Sequence, residues 1–307
     1  MTSPVTTVVV ITHRAAEFIA DALRGLQAQT VAHHLVIIDN DSTDGTADVL
    51  ADLAPPGSVH RMTENLGFAG GVAAAIPLVT TRFMALLNDD AVPDPDWLEQ
   101  LLLAAEDDDR AAAWTCLMVL ADDPAAVNNL GTELNDAWYG VDVAAGEPVA
   151  SVPDRIGDVF GFCGGAALLR TDAVRAVGGF PAEFFLYYED LDTSWRLRRA
   201  GWAIRSVPRS RVVHRHAATT DRRSELFHYY NERNRLLTLA RCAPLRVAAG
   251  QAARFLLTTA SLAAQRLAGR PVRDVPNFQL ALRRRVVIDA ARMAPRQLAR
   301  RRPAIGG

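Results

Sequence analysis

Apolar runs and helical patterns alternate over the first 120 residues. The runs are continuous, of strand length and rich in β-branched residues, whereas the helical segments repeat apolar positions every three or four residues. The runs predict strands at Val5–Ile11, Leu35–Asp39, Val59–Met62, Phe83–Leu87 and Ala111–Leu120. Helices are predicted at Ala15–Gln29, Thr46–Leu53, Gly67–Leu78 and Pro95–Glu106, the last with Asp94 as N-cap. This alternation predicts an α/β fold with a mainly parallel sheet covered on both faces.

The pattern is less regular after residue 120. Residues 121–157 are rich in Asp, Asn, Gly and Pro and predict irregular structure. Strands are then expected at Phe160–Arg170, Trp202–Val207 and Arg211–His214, and helices at Thr171–Val177 and Tyr188–Ala200. From Asp221 onward the pattern is helical, in pieces broken at Pro244, Pro271, Pro276 and Pro295. We therefore expect a body over residues 1–220 and a helical extension over residues 221–307.

Charge is distributed unevenly along the chain. The 307 residues carry a net charge of −2, but residues 1–195 hold 8 Arg and 30 acidic residues, whereas residues 196–307 hold 25 Arg and 5 acidic residues. This asymmetry predicts a charged partner at one end of the molecule. The hydrophobic fraction of 50% and the charged fraction of 22% are those of a globular protein, which excludes a disordered or fibrous chain. No secretory signal is recognisable at the N-terminus, so a cytoplasmic location is expected.

Acidic and amide residues follow three of the predicted strands. They are Asp39-Asn40-Asp41, Glu64-Asn65 and Asn88-Asp89-Asp90. Ligands of parallel α/β sheets bind outside the carboxyl ends of the strands, where carboxylates and substrate phosphates together hold divalent cations. Turns and helix caps explain each cluster alone equally well. Their joint location at one edge of a sheet favours a ligand site.

The glycine-rich segment Gly67–Gly71 follows the second cluster. It matches neither the G-x-G-x-x-G nor the Walker pattern, which excludes those two phosphate-binding motifs. A tight turn and a close approach of the backbone to a ligand at a helix start both remain possible interpretations.

A second candidate site lies at Glu189-Asp190, directly after the aromatic segment Phe184–Tyr188. Burial raises the pKa of a carboxyl group and a helix N-terminus lowers it, so this pair is a candidate general base. An acidic first helical turn is the alternative. His214 ends a predicted strand and, with His216, either completes a metal site or is a surface histidine.

Together these segments resemble glycosyltransferase family 2, the inverting, nucleotide-sugar-dependent enzymes of GT-A fold. The similar stretch runs from about Val5 to Asn234 and includes VVVITHR, LVIIDNDSTDGT, ENLGFAGG, LLNDDAVPDPDWL, GFCGGAALLR and FFLYYEDLDTSWRLRRAGW. It is most similar to bacterial rhamnosyltransferase-like members that build envelope polysaccharides on polyprenyl-linked acceptors. The resemblance implies a Rossmann-like, mainly parallel mixed sheet flanked by helices over residues 1–220, with the nucleotide-sugar half at about 1–120 and the acceptor half at about 121–220.

The resemblance also implies roles for individual residues. Those implied to bind the nucleotide-sugar are Thr12, His13, Arg14, Asp39, Asn40, Asn65, Gly67, Gly70, Asn88 and Asp89. Asp90, the last acid at the family's D-x-D position, would hold a divalent Mg or Mn ion with His214, while Asn88 departs from the usual first Asp. Glu189-Asp190 matches the acidic pair that supplies the catalytic base, and Asp190 is the favoured member.

The implied reaction is transfer of a sugar, from dTDP-rhamnose or a UDP-sugar, to a glycan or polyprenyl-linked acceptor. A nucleotidyltransferase that makes sugar nucleotides is one alternative, but it needs a Gly-rich loop after the first strand, where this chain has Thr12-His13-Arg14. An inactive scaffold that binds a sugar nucleotide at the membrane is the other alternative. The intact acids at both candidate sites argue against it.

The C-terminal extension contributes most of the positive charge. Residues 222–302 hold 18 Arg among apolar residues at helical spacing. Basic amphipathic helices lie on anionic membranes, where each Arg contributes about 1 kcal/mol. This predicts peripheral attachment to the inner face of the plasma membrane, with a bundle packed on the body or a homo-oligomer interface as alternatives. No nucleic-acid-reading motif is present, so no nucleic-acid partner is expected.

Overall fold

The computed structural model describes residues 3–215 and 224–301, which fall into two compact units. The first unit comprises Met1–Phe185 and Glu189–Ala218, and the second comprises Leu186–Tyr188 and Thr219–Gly307. The strands of the first unit are β1 (Thr6–Thr12), β2 (His34–Asp39), β3 (Val59–Arg61), β4 (Phe83–Asn88), β5 (Ala91–Pro93), β6 (Ala111–Leu120), β7 (Val127–Asn129), β8 (Thr132–Leu134), β9 (Gly140–Asp142), β10 (Gly157–Asp158), β11 (Ala166–Arg170) and β12 (Ala203–His214). Its helices are α1 (Ile19–Gln27), α2 (Thr46–Leu53), α3 (Gly67–Ala75), α4 (Trp97–Glu106), α5 (Thr171–Ala176) and α6 (Glu189–Arg199). The second unit contains α7 (Glu225–Cys242), α8 (Leu245–Leu267) and α9 (Leu280–Ala299).

The main sheet has the strand order β10-β12-β6-β11-β4-β1-β2-β3. Strands β3, β2, β1 and β4 are parallel, as are β12 and β6, whereas β11 runs antiparallel to both of its neighbours, β4 and β6. The sheet is therefore mixed. The predicted fold class, an α/β fold with a mixed sheet flanked by helices and a helical C-terminal region, is confirmed.

Alternate residues of the central strands face opposite sides of the sheet, as the pleat requires. In β1, Val8 and Val10 belong to an apolar core that also contains Trp97 of α4. Val9 and Ile11 belong to the opposite core, together with Val72 of α3. Because both faces are covered by helices, all seven residues of β1 are buried.

The structure corrects several predicted boundaries. Strand β11 begins at Ala166 rather than at residue 160, because the preceding Gly164-Gly165 lies in a turn. The two strands expected at 202–207 and 211–214 form one strand, β12, whose irregularity between Val207 and Arg211 accommodates Pro208. Helix α4 begins at Trp97 with Asp96 as N-cap, so the predicted start at Pro95 is wrong. Helix α9 continues through Pro295, which removes one backbone donor without ending the helix.

In the second unit, the three helices share a small core of Tyr229, Phe255, Leu282 and Val286. The guanidinium of Arg283 stacks over the ring of Phe255 at 3.9 Å. Within the described parts of the chain, no helix combines the length and the apolar character needed to cross a bilayer.

Candidate active site

The register of the parallel strands brings the ends of β1, β2 and β4 together. Thr12, the last residue of β1, pairs with Asp39, the last residue of β2, and Ile11 pairs with Asn88, the last residue of β4. Two of the polar clusters predicted from sequence therefore lie side by side at one edge of the sheet. This edge is where ligands of α/β sheets bind.

Asp39 is buried and both oxygens of its carboxylate have donors. Oδ1 accepts a hydrogen bond from the Ser42 amide at 2.9 Å, and Oδ2 accepts one from Nη1 of Arg61 at 3.2 Å. Arg61 was not predicted as a site residue. It is the register partner of Asp39 in β3, so only the strand pairing, which sequence alone does not give, identifies it. The carboxylate of Asp39 is thus held in one orientation.

Asn40 links the end of β2 to the glycine-rich segment. Its Nδ2 donates to the carbonyl oxygen of Gly67 at 3.0 Å, and its own carbonyl oxygen lies 2.8 Å from Nδ1 of His13. Its Oδ1 is buried without a hydrogen-bond partner among the described residues. The neighbouring Arg14 is exposed and adopts a left-handed φ of 56°, with its amide bonded to Oγ of Ser42.

The glycines of the 67–71 segment allow a close approach, but the approach is to the protein's own backbone. Gly67 has a φ of +68°, its amide donates to Oδ1 of Asn65 at 2.8 Å, and a Cβ there would overlap the carbonyl oxygen of Phe185. A Cβ on Gly70 would lie 2.7 Å from the Cβ of Leu66. These glycines therefore fit the start of α3 against the segment that precedes the second acidic pair.

Asp89 is half-buried at the turn after β4. Burial and the adjacent charge of Asp90 raise the pKa of Asp89 to about 7, while the nearby Thr12 hydroxyl and His13 amide act in the opposite direction. The side chain of Asp89 thus lies close to the end of β1.

Asp90 and His214 face each other across neighbouring strands. His214 pairs with Ala91 in the sheet, and its Nε2 lies 3.0 Å from Oδ1 of Asp90. That oxygen is buried and accepts no hydrogen bond from the described residues. Nε2 of His214 also lies 3.4 Å from Nδ2 of Asn88. His216, the other histidine considered with His214, lies outside the described residues.

Asn128, which the sequence did not suggest, determines how His214 is oriented. Oδ1 of Asn128 lies 2.8 Å from Nδ1 of His214. A hydrogen bond from Nδ1–H to this oxygen leaves the lone pair of a neutral imidazole on Nε2, which faces Asp90. Asn128 lies 86 residues from His214, within the stretch predicted to be irregular, so no spacing in the sequence connects the two.

These donors fit a divalent cation. A buried carboxylate oxygen without a donor and an imidazole lone pair 3.0 Å away are two ligands of the kind that transition metals accept. Among the residues that the structure describes, no group of three or more His, Cys, Asp or Glu side chains is arranged for a metal. A cation here would therefore complete its shell with water or with phosphate oxygens of a ligand.

The second acidic pair begins helix α6. Oδ2 of Asp190 accepts a hydrogen bond from the Gly164 amide at 3.0 Å, and Oδ1 accepts one from the Leu191 amide at 2.7 Å. Burial raises the pKa of Asp190, these two amides lower it, and the charge of Asp142 raises it. The result is an oriented carboxylate whose pKa is above the usual value for aspartate.

Glu189 has different surroundings. Its side chain is buried, and Oε2 has no hydrogen-bond partner among the described residues. Burial, and then the charge of Asp190, raise the pKa of Glu189 well above its usual value. Glu189 therefore keeps its proton to a higher pH than an ordinary glutamic acid, whereas the carboxylate of Asp190 is held by two backbone donors.

The two acidic sites are connected through consecutive residues. The amide of Gly164 binds Asp190, and the carbonyl oxygen of Gly165 accepts a hydrogen bond from the Asn88 amide at 2.8 Å. A Cβ on Gly165 would lie 3.3 Å from Nδ2 of Asn88. The Gly164-Gly165 turn, which ended the predicted strand early, thus holds the second acidic pair beside the end of β4.

The segment before α6 has an unusual backbone. Phe185, Tyr187 and Tyr188 have φ values of 67°, 67° and 70°, a region that aromatic residues rarely adopt. Such strain is concentrated at functional sites, because the surrounding structure must compensate for its cost. The strain is consistent with a functional role for the adjoining acids.

Two solved structures of known proteins superpose on this chain. A mannosyltransferase from Pyrobaculum calidifontis in complex with GDP-Man and Mn²⁺ superposes with a TM-score of 0.56 at 18% identity, over 96% of this chain and 88% of that one. GalNAc-T7 with UDP, GalNAc and Mn²⁺ superposes with a TM-score of 0.58 at 14% identity, over 78% of this chain and 48% of that one. At these identities the likeness defines the fold, which is GT-A.

The sequence family is equally clear. Residues 7–178 match Glycosyl transferase family 2, and the chain belongs to that family. The N-acetylglucosaminyl-diphospho-decaprenol L-rhamnosyltransferase of Mycobacterium tuberculosis is 27% identical over 215 residues, which cover 61% of this chain and 68% of that protein. The predicted family, its likeness to rhamnosyltransferases and the predicted class of enzyme, a glycosyltransferase, are confirmed.

Proposed function

We propose that this protein is an inverting glycosyltransferase that moves a sugar from a nucleoside-diphosphate donor to a glycan or polyprenyl-linked acceptor in envelope polysaccharide synthesis. The observation that carries the proposal is the Gly164-Gly165 turn, which holds the Asp190 carboxylate beside the end of β4. One candidate base and one candidate cation site are thereby connected. The M. tuberculosis relative, whose name specifies rhamnosyl transfer to a decaprenol-linked acceptor, favours dTDP-rhamnose as donor. GalNAc-T7, solved with UDP, supports a UDP-sugar as the other candidate.

The strand ends would bind the donor. Asn40 offers a buried acceptor oxygen without a partner among the described residues, which suits an N–H or O–H group of the nucleoside. Asp39, held by Ser42 and Arg61, has a fixed carboxylate for the same part of the donor. We assign Thr12, His13, Arg14, Asn65, Gly67, Gly70, Asn88 and Asp89 to the wall of this site.

Asp90 and His214 would hold a divalent cation, Mg²⁺ or Mn²⁺, beside the donor phosphates. When bound, such a cation neutralises the charge that grows on the leaving diphosphate. Oδ1 of Asp90 has no competing donor among the described residues, and Asn128 orients the imidazole of His214 through its Nδ1 nitrogen. Structural relatives solved with Mn²⁺ support the assignment.

Asp190 would act as the general base. As the acceptor hydroxyl attacks the anomeric carbon from the face opposite the phosphate, its proton passes to the Asp190 carboxylate. The bond from the anomeric carbon to the acceptor oxygen forms while the bond to the phosphate oxygen breaks, so a single displacement inverts the configuration. Glu189, which is buried and has a raised pKa, would shape this site without accepting the proton.

We assign different roles to the two parts of the chain. Residues 1–220 would form the catalytic domain, with the donor half at about 1–120 and the acceptor half at about 121–220. Residues 222–302, with 18 Arg, would place the protein on an anionic membrane at its cytoplasmic face, where a lipid-linked acceptor resides. Arg222, Arg223 and Arg302 of this stretch lie outside the described residues. A homo-oligomer interface is the competing use of the same residues.

The test is nucleoside diphosphate release from a panel of donors, with Mn²⁺, Mg²⁺ or EDTA, in the presence of membrane lipids and polyprenyl-linked acceptor. Release from one donor, abolished by EDTA and accompanied by a product of inverted anomeric configuration in NMR spectra, is expected. Pyrophosphate release from nucleoside triphosphate and sugar phosphate would instead identify a nucleotidyltransferase. Donor binding without turnover of any donor would identify an inactive scaffold. Full activity in EDTA would exclude Asp90 and His214 as metal ligands.

A further inference from the structure

Helix α8 of the second unit exposes an unusual amount of apolar surface. Of its 23 residues, only Phe255 and Leu262 are buried. Leu245, Leu256, Leu257 and Leu267 are 61%, 50%, 71% and 91% exposed. Single exposed leucines are ordinary on protein surfaces, but four on one helix call for an explanation.

These leucines belong to one continuous face. Going along the helix, the exposed apolar residues recur every three or four positions, at Leu245, Ala249, Ala252, Leu256, Ala260, Ala264 and Leu267, with Leu257 beside Leu256. That spacing places them in a single stripe, which we call the α8 stripe. At 1.5 Å per residue the stripe is about 33 Å long. It lies away from Phe255 and Leu262, which anchor α8 to its own unit.

Positive charge accompanies the α8 stripe. Helix α8 contains no acidic residue, and its three arginines, Arg246, Arg254 and Arg266, are exposed. Across residues 224–301 there are 15 Arg and 4 acidic residues. The surroundings of the stripe are therefore complementary to an anionic surface and not to another basic one.

This charge decides between the two simplest partners. Two-fold pairing of identical helices brings the same face of each copy together, so the arginines of one α8 would approach those of the other without an acid on either helix. An anionic lipid leaflet instead offers acyl chains to the leucines and phosphates to the arginines.

We propose that the α8 stripe lies in the interfacial layer of an anionic phospholipid membrane, with Leu256 and Leu257 at its centre and the arginines among the headgroups. The proposal rests on the proposed function, in which the acceptor is lipid-linked, and assigns the membrane contact to one face of one helix. It requires no change in the core of the second unit, because the stripe residues are already exposed.

Vesicle flotation of the full-length protein tests this. Vesicles of phosphatidylcholine alone are compared with vesicles containing about one third phosphatidylglycerol. The double variant L256Q/L257Q is expected to lower the partition coefficient on anionic vesicles by about tenfold or more, because two buried leucines are lost. The matched control is Leu103→Gln in α4, since Leu103 is 51% exposed and Leu256 is 50% exposed, and it should leave binding unchanged.

The variant R246Q/R254Q should weaken binding to anionic vesicles by about fivefold for each arginine and leave binding to neutral vesicles unchanged. Equal binding of wild type and L256Q/L257Q would overturn the proposal, as would a wild-type dimer in sedimentation that L256Q/L257Q abolishes without any effect on flotation. Circular dichroism melting of every variant excludes misfolding as the cause of lost binding.

Membrane binding through the α8 stripe and glycosyltransferase activity can be tested separately. Nucleoside diphosphate release from donor and a detergent-dispersed acceptor is measured on the same samples. L256Q/L257Q should retain this activity while losing flotation. A wild type that floats through Leu256 and Leu257 but turns over no donor would contradict the proposed function and leave the membrane surface intact.

Discussion

The two acidic pairs of the first unit, Asp89-Asp90 and Glu189-Asp190, are similar in sequence and differ in their surroundings. Each follows an apolar or aromatic run and each is partly or fully buried. In each pair one carboxylate has neighbours that lower its pKa: the Thr12 hydroxyl and the His13 amide lie near Asp89, and two backbone amides donate hydrogen bonds to Asp190. The other member has an oxygen that is buried without a hydrogen-bond donor among the described residues, namely Oδ1 of Asp90 and Oε2 of Glu189.

Asp90 and Glu189, the two acids with a buried oxygen that lacks a donor among the described residues, differ in what compensates their charge. Oδ1 of Asp90 faces the lone-pair nitrogen of His214 at 3.0 Å, an arrangement that a cation stabilises. For Glu189, burial raises the pKa well above its usual value, and the adjacent charge of Asp190 adds to this effect. A bound proton therefore removes the buried negative charge there, as a cation would compensate it at Asp90. One pair therefore suits metal binding, and the other suits proton transfer by its satisfied member.

Replacing Asp190, the acid of the second pair that has two hydrogen-bond donors, should have the largest effect on the rate of sugar transfer. Asp190→Asn removes the proton acceptor, and general bases contribute about 10²–10⁴-fold to rate, so transfer should fall by about that factor. Donor affinity, measured by calorimetry, should stay within about twofold, because Asp190 lies outside the donor residues. Glu189→Gln is the matched control: it changes the adjacent acid in the same way and should retain most activity. If both variants lose equal activity, the distinction between the two acids is wrong.

Asn128 tests whether the first pair binds a cation through an oriented histidine. Asn128→Ala removes the acceptor at 2.8 Å from Nδ1 of His214. Losing such an outer partner costs about 10–100-fold in metal affinity, so the Mn²⁺ concentration for half-maximal activity should rise by that factor. Saturating Mn²⁺ should restore most of the rate. Asn128→Asp keeps an acceptor oxygen and should behave like wild type, whereas a loss of rate that Mn²⁺ cannot restore would show that Asn128 is only structural.

The pH dependence of transfer should identify the titrating member of the second pair. Asp190 must be ionised to accept a proton, and burial raises its pKa. The rate should therefore fall on acidification at a higher pH than the value of about 3.9 typical of aspartate, by about tenfold per pH unit. The charge of Asp142 also raises this pKa, so Asp142→Asn should move the acidic limb of the pH–rate profile to lower pH. A limb that does not move would contradict the assignment of Asp190 as the titrating group.

The sequence predicted the layout of the candidate site better than its internal contacts. Apolar runs aim Asp39 and Asn88 at one edge of a parallel sheet, and the register observed for β1, β2 and β4 brings those ends together. Arg61 was not predicted as a site residue, because its contact with Asp39 depends on the pairing of β2 with β3. Asn128 was not predicted because it reaches His214 from β7, a short strand 86 residues away in a stretch where the sequence predicts irregular structure.

The contacts that glycines make with distant parts of the backbone were also not predictable from the sequence. For Gly67 the sequence left open a tight turn or a close approach of the backbone to a ligand, and it does not reveal that the neighbouring group in the structure is the carbonyl oxygen of Phe185. Gly164-Gly165 lies inside an apolar run whose periodicity favours a strand, whereas the structure uses both residues to join Asp190 to Asn88. Local pattern predicts where an element ends less reliably than it predicts that the element exists.

The smallest effect on activity, and an informative one on stability, is expected for Glu189→Gln. The folded-state pKa of Glu189 is raised by burial, so the stability that this group provides is present below the unfolded-state pKa of about 4.3 and is lost as the pH rises toward the folded-state pKa. Glutamine does not titrate, so the variant should gain free energy of unfolding relative to wild type, by up to about 1.4 kcal/mol for each pH unit over that interval. Urea unfolding at pH 5, 6 and 7 measures this difference. A difference that stays constant with pH would mean that Glu189 ionises normally in the folded protein, and the contrast between the two acids of the pair would then disappear.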